Sequence, residues 1–191
     1  MSQPEIRISK EELAKLPAEK YVGEIVVISS PEEVDAAISE LERAPLVGFD
    51  TETKPAFQKG QINQVALLQL ATEQKCFLIR LCKVGLHPRV REFLENPAVT
   101  KVGLSIKDDF HSLAKLGSIS PAGFIDLQEL VPRFGIADAS LTKIHAILFG
   151  RRISKSQQLS NWEAPALSPR QQEYAALDAR ACISIYRHLV S

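Results

Sequence analysis

Apolar positions recur along the chain in two rhythms. Short runs rich in β-branched and apolar residues, bounded by turn formers, predict strands at Ile25 to Ile28, Leu46 to Glu52, Val65 to Leu70, Cys76 to Ile79 and Lys101 to Leu104. Phe124 to Asp126 has the pattern of a further short strand, and Gly60 with Asn63 marks a turn before the third run. Other stretches open on a Ser followed three residues later by an acid or amide. In that pairing the Ser caps a free N–H and the later side chain reaches back. Ser9 with Glu12, Ser30 with Glu33, Ser105 with Asp108 and Ser168 with Gln171 predict four helix starts, with Pro31 and Pro169 at the first helical position of two. Ser140 opens a helix over Leu141 to Leu148 that Gly150 closes. A run of strands followed by strands alternating with helices predicts a three-layer α/β domain around a mixed central sheet. No linker, repeat or low-complexity stretch interrupts it, so residues 21–191 are read as one domain and residues 1–20 as an N-terminal extension.

Composition narrows this picture. The 191 residues suffice for one well-buried domain. With 23 basic and 23 acidic side chains the formal net charge is zero, which excludes a uniformly basic coat. Any grip on phosphate must come from a local patch or a bound metal. The three cysteines, Cys76, Cys82 and Cys182, form no regular framework and are read as free thiols of a reducing compartment. The start of the chain lacks the apolar core of a signal peptide, and no long uncharged apolar run follows. The expected location is intracellular, in the cytoplasm and away from membranes.

The chemistry lies in acids placed awkwardly. The strand Leu46-Val47-Gly48-Phe49 looks buried yet runs into Asp50 and Glu52. Two residues apart on a strand, both carboxylates project from one face and Thr51 from the other. Close carboxylates raise one another's pKa, and a divalent cation between them removes the repulsion. Oxygen ligands suit magnesium or manganese. A charged strand end fraying into solvent would give the same spacing. On the last helix Tyr174 and Asp178 stand four apart, on a face that Ala181 and Ile185 continue. Asp178 therefore falls in an apolar stripe and needs neutralising, by a metal or by an ion pair. Arg180 is near in sequence but on another face. After the strand at Lys101, Asp108 fits the cap with Ser105, which leaves Asp109, on the side shared with Leu113 and Leu116, for chemistry. One residue of register would exchange the two.

Asp-x-Glu on a strand, an Asp at the start of a mid-chain helix and Tyr-x3-Asp on a late helix form an ordered set. It resembles the DEDD superfamily of 3′–5′ exonucleases, in the Tyr-containing (DEDDy) branch. Val47-Gly48-Phe49-Asp50-Thr51-Glu52 is similar to the first exonuclease motif, and Val65-Ala66-Leu67-Leu68-Gln69-Leu70 to the strand that follows it. Gly103 through Asp109 to Leu113 is similar to the second motif. Ser160-Asn161-Trp162 and Tyr174-Ala175-Ala176-Leu177-Asp178-Ala179 are similar to the third with its lead-in. Within the superfamily the nearest groups are the exonuclease domain of the Werner syndrome protein and ribonuclease D. The likeness covers about residues 25 to 190.

The resemblance implies a ribonuclease-H-like fold with a mixed five-stranded central sheet flanked by helices. It implies a hydrolase that removes nucleoside 5′-monophosphates from the 3′ end of DNA or RNA with two divalent metal ions, Mg2+ or Mn2+. Asp50 would bridge the two, Glu52 and Asp178 complete the first, Asp109 hold the second, and Tyr174 orient the attacking water. Without room for an appended helicase or helical binding domain, weak processivity is expected. Nucleic-acid contacts are expected from Thr51, from Lys54 and Lys59 after the first motif, from the cluster Arg151, Arg152 and Lys155, and from Trp162 stacking on a base. For the cations the plainer alternative is a solvated charge run; for Trp162 it is a place in the core. Two other functions compete. One is a catalytically inactive nucleic-acid-binding adaptor on a nuclease fold, which the full set of five residues opposes. The other is an aspartate-nucleophile phosphatase, which would need an Asp where Glu52 stands.

Overall fold

A computed structural model of the chain describes residues 5–191. Its centre is a six-stranded sheet: β1 (Glu24–Ile28), β2 (Leu46–Thr53), β3 (Val65–Ala71), β4 (Lys75–Ile79), β5 (Thr100–Gly103) and β6 (Phe124–Asp126), in the order β1-β4-β3-β2-β5-β6. The β3 strand runs antiparallel to β2 and β4, while β1 with β4, β2 with β5, and β5 with β6 pair parallel. The sheet is mixed, as expected, but has six strands where five were implied. Phe124–Asp126 forms a strand, as its pattern predicted, and pairs along β5.

Among the described residues eight α-helices accompany the sheet: α1 (Lys10–Lys15), α2 (Val34–Leu41), α3 (Leu81–Val84), α4 (Pro88–Glu95), α5 (Ile106–Leu113), α6 (Leu127–Leu130), α7 (Leu141–Phe149) and α8 (Pro169–Val190). Period-two alternation sorts the strands onto two cores. Val47, Phe49, Leu70, Phe77 and Ile79 face α2, α4 and α5. Leu67, Cys76, Leu78 and Val102 face α7 and α8. Every residue of β3 is buried, as a strand covered on both faces requires.

The helix starts follow the Ser signals unevenly. Ser9 and Ser168 each accept the N–H three residues on and receive the reaching side chain of Glu12 or Gln171. Glu33 accepts the N–H groups of Ser29 and Ser30, at the start of the 3-10 turn that leads into α2. Gly150 ends α7 in the left-handed region (φ 64°). Ser105 departs from expectation. It sits at φ 58°, makes no side-chain cap, and its hydroxyl donates to Gln128. The start of α5 is capped instead from a distant strand end: the Asp126 carboxylate accepts from the N–H groups of Ser105 and Ile106, at 2.9 and 3.2 Å. Asp108 is thus not a cap but an exposed residue of the first turn.

Residues 5–20 lie against the segments that flank α7. Ile6 bridges Ile136, and Ala18 bridges Arg152. Among the described residues no helix is long and apolar enough to cross a membrane.

Candidate active site

The β2 strand outruns its neighbour. Its pairing with β5 ends at Gly48 opposite Val102, while its pairing with β3 continues to Thr53. Residues 49–53 therefore have an open edge where β5 has turned away into α5. A cleft of about 360 Å³ opens there, lined by Asp50, Thr51, Glu52, Tyr174 and Asp178 among others.

Three features converge on it. Gly48 lets α8 ride directly on β2: a Cβ at that position would come within 2.0 Å of the Ala179 carbonyl oxygen. This close approach sets Asp178 against the face that carries Asp50 and Glu52, and carboxylate oxygens of the three lie within 4.8 Å of one another. On the opposite face Thr51 points to α5, and its hydroxyl donates to the Asp109 carboxylate. Asp109 lies outside that three-acid group and approaches from the other side of the strand, although its charge is felt at Asp50 and Glu52. One turn before Asp178 on α8, Tyr174 faces the same cleft.

The electrostatics follow from this crowding. Removal from water, then the charge of Asp178 and the other acids, pushes Asp50 well above the usual carboxylate range. Burial and the neighbouring acids push Glu52 up to about 9. Burial raises Asp178 to about 7, although the Tyr174 hydroxyl and the charge of Lys155 pull it back. Asp109 rises to about 6 through burial, against the Thr51 hydroxyl, which lowers it. Burial and the surrounding carboxylates raise the Tyr174 phenol, so it stays protonated at neutral pH. No lysine or arginine forms an ion pair with these acids among the described residues. The salt-bridge alternative for Asp178 is therefore not realised. An acid cluster without an ion-paired cation in a partly enclosed cleft fits hard divalent cations held by oxygen.

A family model described as 3′–5′ exonuclease matches residues 25–191. The chain belongs to the 3′–5′ exonuclease family. It is 35% identical over 148 residues to exonuclease 3′–5′ domain-containing protein 2 of Drosophila melanogaster, across 75% of this chain and 25% of that protein. It is 30% identical over 155 residues to the bifunctional 3′–5′ exonuclease/ATP-dependent helicase WRN of Mus musculus, across 78% of this chain and 11% of that protein. The chain thus spans a quarter or less of these two relatives. Among solved structures it is similar to ribonuclease D of Escherichia coli, with a TM-score of 0.78 and 22% identity, over 87% of this chain and 44% of the other. That likeness speaks for the fold.

Around this exonuclease-family cleft the expected contact residues separate. Lys155 lines the cleft. Lys54 pairs with Glu163 at 3.2 Å, and Lys59 is exposed on the β2–β3 connection. Arg151 is exposed, its Nε 4.0 Å from Glu19, while Arg152 donates through Nε to the Leu16 carbonyl. Trp162 requires correction. It is fully buried and packs at a tilt on Tyr174, ring centres 6.0 Å apart, so it has no face for a base. Its place is to back Tyr174.

Several positioning groups escaped the sequence reading. Arg80 is buried, and its guanidinium donates to the carbonyls of Ala164 and Pro165, which fixes the lead-in to α8. Lys101 is buried beneath Phe124 and Phe93, donates to two carbonyls, and is pushed down to about 8 by burial. Gln69 stands opposite Asp50 in the β2–β3 register, fully buried, with both amide atoms unpartnered among the described residues. A buried amide without partners is costly. Gln69 is therefore a neighbour with hydrogen-bonding capacity to spare beside the acid cluster.

Proposed function

We propose that this chain is a metal-dependent 3′–5′ exonuclease of the DEDDy type, which hydrolyses the terminal phosphodiester of DNA or RNA and releases nucleoside 5′-monophosphates. The observation that carries the reading is the meeting of Asp50, Glu52 and Asp178 within 4.8 Å, without an ion-paired cation among the described residues, in an open cleft of a family of 3′–5′ exonucleases. Residues 21–191 form the catalytic unit, with residues 1–20 as an extension.

Two divalent ions, Mg2+ or Mn2+, fit the acids. Asp50 would serve both, Glu52 and Asp178 one, and Asp109, from the far side of β2, the other. When bound, the ions supply Lewis acidity at the phosphate, lower the pKa of the attacking water and offset charge on the departing 3′-oxygen. The chain's own groups supply position. The Tyr174 phenol, held protonated, hydrogen-bonds without ionising, and so orients the attacking water instead of deprotonating it. Trp162 behind it and the capped start of α8 keep it in place. Thr51 tethers Asp109 to β2, so the acid on α5 follows the strand that carries Asp50.

The test is digestion of 5′-labelled and 3′-labelled DNA and RNA with magnesium or manganese, beside Asp50→Asn. The expected result is a ladder shortening from the 3′ end, mononucleotides bearing a 5′-phosphate, and loss of both in the variant with folding retained. Internal cuts, or a variant as active as the parent, would overturn the reading.

A further inference from the structure

The active-site cleft does not end at the acids. A second cavity of about 330 Å³, a side channel, shares Ser140, Thr142, Ile153 and Lys155 with it, so the two adjoin. Its far wall is α1, which precedes the 25–191 span matched by the family. Lys10, Leu13 and Ala14 line that wall. They stand at i, i+3 and i+4 and hence on one helical face.

The charge on this channel has one sign. Lys10, Lys143, Arg152 and Lys155 line it, and no carboxylate does. Lys143 is neutralised by Asp138 at 2.7 Å. Lys10, Arg152 and Lys155 form no ion pair among the described residues. The acids of α1 are excluded from the channel, and the Glu12 carboxylate is spent on the Ser9 N–H at 2.9 Å. In a chain of zero net charge such sorting is local and complementary to a polyanion.

The wall is also fastened. Arg152 donates through Nε to Leu16 O at 3.1 Å and through its backbone N–H to Pro17 O at 2.9 Å, and Glu19 donates to Arg152 O at 2.8 Å. On the other side of α1, Ile8 N–H donates to the Asp138 carboxylate at 2.9 Å. A short helix held at both ends presents its face without a large ordering cost.

We infer that the channel is the track for the sugar-phosphate backbone of a single nucleic-acid strand leading into the cleft, with Lys10, Arg152 and Lys155 as phosphate contacts and α1 as its wall. The assignment rests on the exonuclease reading for the direction of the strand, not for the binding itself. Leu13 and Ala14 give the sugars a low apolar floor.

The test is binding of a fluorescent single-stranded dodecanucleotide, as DNA and as RNA, to the full chain in EDTA, so that hydrolysis does not intervene. Affinity is followed against salt for the parent, Lys10→Ala, Ala14→Lys and Glu11→Lys. Each phosphate contact on a single strand contributes about 0.7 to the slope of log affinity against log salt. Lys10→Ala is expected to reduce the slope by about 0.7, and Ala14→Lys to raise it by about as much. Glu11→Lys makes the larger change in net charge but lies outside the channel lining, and is expected to change the slope less than Ala14→Lys. A shift with either polymer supports the track, and the tighter polymer identifies its substrate. An unchanged slope in Lys10→Ala with both, or a Glu11→Lys effect equal to that of Ala14→Lys, overturns it. Magnesium-dependent digestion is measured separately, so an inactive chain that still shows the shift would sink the exonuclease reading and leave the track standing.

Discussion

Removing the charge of Asp178 should make the metal-free protein more stable at neutral pH. Asp178 is buried against Asp50 and Glu52, and its carboxyl is raised from 3.8 to about 7. Between those two values the folded chain holds a proton that the unfolded chain has lost. Raising the pH through this window therefore destabilises the fold. From this one group the penalty grows by roughly 3 kcal/mol between pH 5 and pH 8. Carboxylates held below their ordinary range, such as Glu33 and Asp138, act in the opposite sense but are nearly fully ionised by pH 5. Glu52, Asp50 and Asp109 are raised as well and act in the same sense, so in EDTA the parent should lose at least roughly 3 kcal/mol between pH 5 and 8, or upwards of about 6 °C in melting temperature for a chain of this size. Asp178→Asn should remove this group's share of that slope, relieve Asp50 and Glu52 of its charge, and melt above the parent at pH 8. Millimolar magnesium or manganese should raise the parent at pH 8 and leave the variant nearly unmoved, because ions that bind only the folded state stabilise it. Thermal denaturation followed by circular dichroism gives all these quantities. A metal-free parent that gains stability from pH 5 to 8, or an Asp178→Asn that melts below it at pH 8, would show that the acids are not strained by mutual burial.

Three further outcomes follow from the geometry. Tyr174→Phe should lower kcat by about 10²-fold with KM little changed, and should remove no limb from the pH–rate profile, because the phenol stays protonated and does not titrate. Gly48→Ala should cost upwards of about 2 kcal/mol in urea denaturation, since its methyl would meet the Ala179 carbonyl 2.0 Å away. The same variant should weaken manganese binding in calorimetry, as α8 lifts Asp178 from Asp50. Asp126→Ala should cost about 1–2 kcal/mol as the cap of α5 is lost, and should lower activity through Asp109. Asp126→Asn, which keeps an acceptor, should recover most of both.

Legibility differed from element to element, and the reasons are physical. The strands and α8 were readable because their signals are local: an apolar run ended by turn formers, and a Ser–Pro–x–Gln start whose bonds close within four residues. The α4 helix carries such a signal too, with Pro88 at its first position and Val90, Phe93 and Leu94 on one face, yet it escaped notice because its cap is His87 and not a Ser or Asp. The α5 helix misled for a deeper reason. Its cap, Asp126, stands 20 residues beyond its first residue and meets it only because β6 pairs with β5. No window of sequence contains both partners.

The same distinction runs through the site. Asp50 and Glu52 share a face by strand geometry alone, and Tyr174 and Asp178 by helix geometry alone, so each pair was readable. What brings the pairs together is Gly48, whose missing side chain is informative only once Ala179 is seen lying on it. Asp109 was singled out by leaving the cap to Asp108, and the structure removes that argument, because neither Ser105 nor Asp108 caps the helix. It puts a better one in its place. Thr51, between the two acids of β2 and turned the opposite way, donates its hydroxyl to Asp109. The alternation that separates Asp50 and Glu52 from Thr51 therefore lets one strand gather acids from both layers: Asp178 directly on the α8 face, and Asp109 through the hydroxyl on the α5 face.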